Sequence, residues 1–131
     1  MLPPTAHVDH RNDDRYCVIR FSGPVGLEAT HVIEGDKHVA HGESVNEKTR
    51  LLVEALMNTA GVVEVRVVAS ELADTSDDPI CNIGVYWPEV TSSRSALVAT
   101  RVTVSQAAWN TVQRLLPEVT LRQAFWKQPQ Y

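Results

Sequence analysis

All five histidines lie in the first 41 residues, as two H-V-x-H pairs, His7/His10 and His38/His41, plus His31. Histidine in this density suggests metal ligation, but a zinc site needs three or four converging donors. A local hairpin could put His31 and His38 on one face, and a site would need a further ligand such as Cys17. An H-x-x-H pair on a strand sends its two rings to opposite faces, because side-chain direction alternates along the strand. The histidines therefore read as solvent-facing and terminal imidazoles. Asp74, Asp77 and Asp78 share one stretch but lack the spacing and closing glutamate of a calcium loop, and read as an acidic turn. Glu47 and Glu54 lie two helical turns apart on a face that needs to stay wet, so they make a poor acid/base pair. The chain has no nucleophile elbow, no phosphate-binding glycine loop and no Cys-x-x-Cys. No catalytic residue, metal site, cofactor or small-molecule substrate is expected, and the chain does not read as an enzyme.

The composition describes what must carry function instead. The 131 residues fit one domain, 1–131, with 44% hydrophobic and 21% charged residues. The formal charge of −4 is uneven: residues 1–79 hold 14 acids against 7 Lys/Arg, whereas residues 80–131 hold Glu89 and Glu118 against five basic side chains. A strongly basic nucleic-acid footprint is missing, so any RNA contact must use a local face. No apolar run is long enough to span a bilayer, and the N-terminal stretch lacks the apolar core of a signal peptide. Cys17 and Cys81 do not make a disulfide framework, and read as reduced core thiols.

Hydrophobic periodicity then assigns elements. Residues 1–15 are polar and proline-bearing and read as an arm. "RYCVIRF" (15–21) is rich in β-formers and reads as a strand. Gly35-Asp36 reads as a two-residue hairpin loop between Glu34 and Lys37. In 43–61, Ser44 with Glu47 fits a capping box and Gly61 a helix stop, which favours a helix over 44–60. Segments 62–69, 80–87 and 96–104 each alternate apolar with polar residues and predict an antiparallel meander, so that 15–104 is mostly sheet. Ser105 is a good N-cap for a helix over 106–116, with Ala108, Val112, Leu115 and Leu116 as its apolar stripe and Pro117 as its stop. Thr120 can cap a second short helix, 121–127; "EVTLRQAFW" as a last strand is the alternative.

Strand alternation places Arg66, Asn82, Tyr86, Arg101 and Thr103 on the non-core side of those three segments. A sheet's wet face is polar in any case. As an RNA-facing surface it would use Arg for phosphate, Tyr for stacking on a splayed base and Asn for a base edge. Trp87, Trp109 and Trp126 read as core or interface anchors.

The order "GVVEVRVVAS…CNIGVYWPEV…ALVATRVTVS", followed by two short helices and Tyr131, resembles the coat proteins of single-stranded RNA bacteriophages over residues 61–131. The resemblance implies an α+β fold: an antiparallel β-meander with one face covered by short C-terminal helices (105–127). It also implies a homodimer in which those helices lie across the neighbouring subunit, through Trp109, Val112, Leu115, Leu116, Leu121 and Phe125. Assembly into a shell around RNA, in a virion formed in the bacterial cytoplasm, would follow. The alternative arrangement is a ferredoxin-like βαββαβ sandwich, with strands at 15–21, 62–69, 96–104 and 119–126. It would suit a small acidic cytoplasmic protein-binding module: a regulator, inhibitor or assembly adaptor. "LVEALMNTAGVVEV" and "VTVSQAAWNTVQRLLPEV" bear a faint likeness to the N-terminal domain of Nfu-type iron–sulfur scaffold proteins. A long insert separates them and the cluster-binding Cys pair is missing, so that likeness is given no weight.

Overall fold

The computed structural model describes residues 3–10, 15–23, 25–27, 33–36, 47–69, 81–88 and 93–127. The chain is an α+β protein built on one mixed sheet. Its strands are β1 (Thr5–His10), β2 (Tyr16–Ser22), β3 (Ile33–Asp36), β4 (Glu64–Ala69), β5 (Cys81–Tyr86) and β6 (Thr120–Ala124). Two helices, α1 (Glu47–Met57) and α2 (Arg94–Leu115), interrupt them, and a 3-10 turn, Phe125–Lys127, follows β6. The six strands lie in the order β3-β4-β5-β2-β1-β6. Neighbours are antiparallel except for β1 and β6, which run parallel.

Alternation decides the two faces. Ala6, Val8, Cys17, Ile19, Phe21, Val65, Val67, Ile83 and Val85 are buried on one side. Leu52, Val53 and Leu56 of α1 and Val104, Ala108, Trp109 and Val112 of α2 join them in a single apolar cluster. Both helices thus cover one face. At about 25 cal/mol per Å² of apolar surface removed from water, this layer is the main source of stability. The turn that follows α1 is also tied to α2, through the Thr59 and Thr111 hydroxyls at 2.8 Å.

Gly61 links α1 to β4. Its φ of +89° suits glycine, and a Cβ there would come within 2.9 Å of Val104 Cγ2 on α2. The residue expected as a helix stop is therefore also a point of close approach between the two helices.

Several elements differ from the sequence expectation. Segment 96–104 is not a strand; it is the first half of α2, which is 22 residues long. Ser93, whose Oγ accepts from the Ala96 N–H at 3.3 Å, is the N-cap, and Ser105 is buried inside the helix. Leu97, Arg101, Val104, Ala108 and Val112 recur at helical spacing, and the gain from packing that row outweighs the β preference of the valines and threonines in the segment. The second short helix at 121–127 is instead strand β6 ending in a 3-10 turn. Part of the N-terminal arm is strand β1, held between β2 and β6. Gly35 and Asp36 are not a hairpin loop; they lie within β3, opposite Val65 and Glu64. Pro117 does lie just beyond the end of α2, where the Leu116 N–H closes on the Val112 carbonyl at 2.7 Å.

Candidate interaction face

The helices leave the second face of the sheet uncovered by any described element. It is assembled in register from four strands. Tyr16 stands opposite Tyr86, and Tyr86 opposite Glu64. Arg66 and Val18 stand on either side of Gly84, and Arg20 lies between Asn82 and His7. Asp9 is paired with Val18.

Tyr86 is the centre of this arrangement. Its ring stacks on Tyr16 with centroids 4.8 Å apart and planes 16° from parallel. The Arg66 guanidinium carbon sits 5.0 Å from the Tyr86 centroid. Since β4 and β2 flank β5 on opposite sides, the ring has a cation on one side and an aromatic ring on the other. Gly84 makes room for this: a Cβ there would lie 3.3 Å from the Tyr86 ring. Partial burial raises the Tyr86 hydroxyl above its ordinary pKa, with Arg66 acting in the opposite direction.

Charge on the face is internally compensated. Arg66 bonds Glu64 at 3.0 Å and Arg20 bonds Asp9 at 2.7 Å. Asn82 contributes a different feature: its Oδ1 is buried and accepts no hydrogen bond from any described residue. A buried acceptor left unsatisfied is costly, so it stands ready for a donor.

Of the five residues singled out for RNA, Arg66, Asn82 and Tyr86 share this face. Arg101 and Thr103 do not join them. Both belong to α2, on the helix side of the sheet, where Arg101 borders a groove with Arg94, Leu97 and Val98. Their separation follows from the helical state of 96–104. Tyr16, Arg20, Asp9 and His7 complete the face and were missed. The alternation of Thr5 to His10 carried the signal for β1, masked by its polar residues and the prolines before it.

The residues expected at a dimer interface are distributed otherwise. Val112, Leu116 and Trp109 are buried within their own chain, so Val112 and Leu116 have no surface left for a neighbour. Leu121 and Phe125 are half-buried against the same core, and Leu115 is exposed. Trp87 and Trp109 are core side chains and Trp126 is half-buried.

No protein-family model, curated protein or solved structure matches the chain.

The described residues among those weighed for catalysis and metal binding are dispersed. His7 is on the open face beside Arg20, whereas His10 is on the other side, with its ring 4.7 Å from Phe125. His31, His38, His41, Asp74, Asp77 and Asp78 lie outside the described residues. Among the described residues no three His, Cys, Asp or Glu side chains come together as a metal site would require. Glu47 and Glu54 both bind Arg50, which holds the Glu47 carboxyl below its ordinary pKa through a hydrogen bond. Cys17 is a free, buried thiol near Ser105, pushed up to about 11 by burial. The Ser105 hydroxyl acts in the opposite direction and is outweighed by burial.

Proposed function

We propose that the chain is a binding module on a ferredoxin-like plan, which docks a partner protein against the open sheet face. The plan is supported by element order: β2, α1, β4, β5, α2 and β6 run βαββαβ, with β5 in the place expected for 96–104. Strand β1 is interposed between β6 and β2, and β3 extends the opposite edge.

The observation that carries the binding reading is the Tyr16–Tyr86–Arg66 stack on an otherwise polar, charge-compensated surface. Tyr and Arg are enriched among the side chains that anchor protein interfaces: Tyr buries a large, rigid ring, and Arg stacks on rings and makes several hydrogen bonds. Salt-bridged arginines on a chain of net charge −4 make weaker phosphate ligands than free ones.

RNA is the second reading, favoured by the convergence of Arg66, Asn82 and Tyr86 on one face. The coat arrangement is less favoured, since α2 covers the sheet of its own chain.

A photo-crosslinking amino acid in place of Arg20, in cells, tests these alternatives. A discrete protein adduct that disappears when Tyr86→Ala is added supports the proposal. A nuclease-sensitive adduct would transfer the face to RNA, and no adduct of either kind would remove the binding role.

A further inference from the structure

The sheet ends on β6, and no described strand lies beyond it. An edge of this kind offers backbone N–H and C=O groups to any extended chain, including a second copy of itself. The start of β6 is tied inward, the Thr120 N–H donating to the Pro4 carbonyl at 3.1 Å. The pairing with β1 then slips. Ala6 stands opposite Leu121 and the next residue, His7, stands opposite Gln123, so Arg122 is left without a cross-strand partner. Two residues against one is the count of a β-bulge, which bends the strand and breaks its regular ladder. On either side of the bulge β6 keeps its hold on the core: Ala124 is buried and Leu121 is half-buried against the same cluster. Arg122 itself is exposed. It is also the middle residue of the five in β6, and the 3-10 turn begins directly after Ala124.

These positions decide what a second copy would meet. If two chains paired their β6 edges about a two-fold axis centred on the strand, the two Arg122 side chains would stand opposite each other. Like charges directly opposed across strands are destabilising. We propose that Arg122 and its bulge form a guard, which stops the sheet from continuing into the β6 edge of a second copy. The bulge denies the incoming strand a straight ladder, and the guanidinium repels its symmetry mate. This guard is separate from the open sheet face and does not depend on that face binding anything.

The test is sedimentation equilibrium of the full chain over a concentration series, with amide hydrogen exchange of β6 measured at both ends of the series. Arg122→Val should self-associate about tenfold more tightly than the natural chain, since a repulsive pair becomes a favourable one. The amides of Leu121, Arg122→Val and Gln123 should gain protection as it associates. Arg122→Lys should sediment like the natural chain. Arg114→Val, the same change at an exposed position on α2, should do so too. Should the valine variant fail to fold, Arg122→Thr removes the charge with another good strand former and carries the same expectation. The proposal is overturned if the folded neutral variant stays as monomeric as the natural chain, or if it associates without protecting β6. It is equally overturned if Arg122→Lys or Arg114→Val associates as strongly.

Discussion

Tyr16 and Tyr86 face each other across the β2–β5 pairing with their rings stacked 4.8 Å apart. The pair is a cross-strand contact on a surface that no described element covers, so its energy can be measured without disturbing the core. A double-mutant cycle with Tyr16→Ala and Tyr86→Ala, read by urea denaturation, should give a coupling of about 0.5–1.5 kcal/mol. Coupling near zero would mean that the rings do not stack in solution.

Leu115 and Leu116 are adjacent and have opposite surroundings: Leu115 is 41% exposed and Leu116 only 1%. Leu116→Ala should destabilise the chain by about 2–5 kcal/mol. Leu115→Ala should stay within about 0.5 kcal/mol. Stability that falls with dilution would show that these residues are buried by another copy after all.

Gly61→Ala should be costly for two reasons, the positive φ and the approach of Val104. A loss of about 2–3 kcal/mol is expected, since the left-handed conformation alone costs roughly 1–2. Trimming the neighbour with Val104→Ala in the same chain should recover only the steric part, which thermal unfolding of the three variants will separate.

The Cys17 thiol, with an ordinary value of 9.0, is raised to about 11 by burial. The folded chain therefore keeps a proton that the unfolded chain releases first. The stability this contributes is complete below pH 9 and is lost as the pH rises towards 11, up to about 3 kcal/mol. Cys17→Ala should flatten the alkaline limb of stability against pH. In the native protein this thiol should react with alkylating reagents only as fast as the fold opens.

A chain whose α2 covers its own sheet should sediment as a 14.5 kDa monomer free of nucleic acid when expressed alone. Large particles containing RNA would restore the coat reading.

How much of this was written in the sequence depends on which signals agreed. For α1, capping, periodicity and a closing glycine all pointed to a helix. For β4 and β5, alternation and β-branched residues pointed to strands. In α2 the signals conflicted: Val98, Val102 and Val104 alternate as in a strand, while Leu97, Arg101, Val104 and Ala108 repeat as in a helix. Local preference could not settle this, because the deciding term is burial against β2 and α1, which are distant in sequence. The error spread to the candidate site, since Arg101 and Thr103 were assigned a face by strand logic. Strand β1 was hidden differently: Ala6 and Val8 are its only buried apolar side chains, and its order comes from neighbours at both ends of the chain.

That last pairing has a consequence for biosynthesis. Ala6 is synthesised long before Leu121, yet its strand gains that second neighbour only once Leu121 has been made. Until then β1 presents an unzipped edge, and the nascent sheet is open to mispairing. A circular permutant in which Ala124 is tethered ahead of Thr5 would make that contact local, and should refold faster and with less aggregation than the natural order.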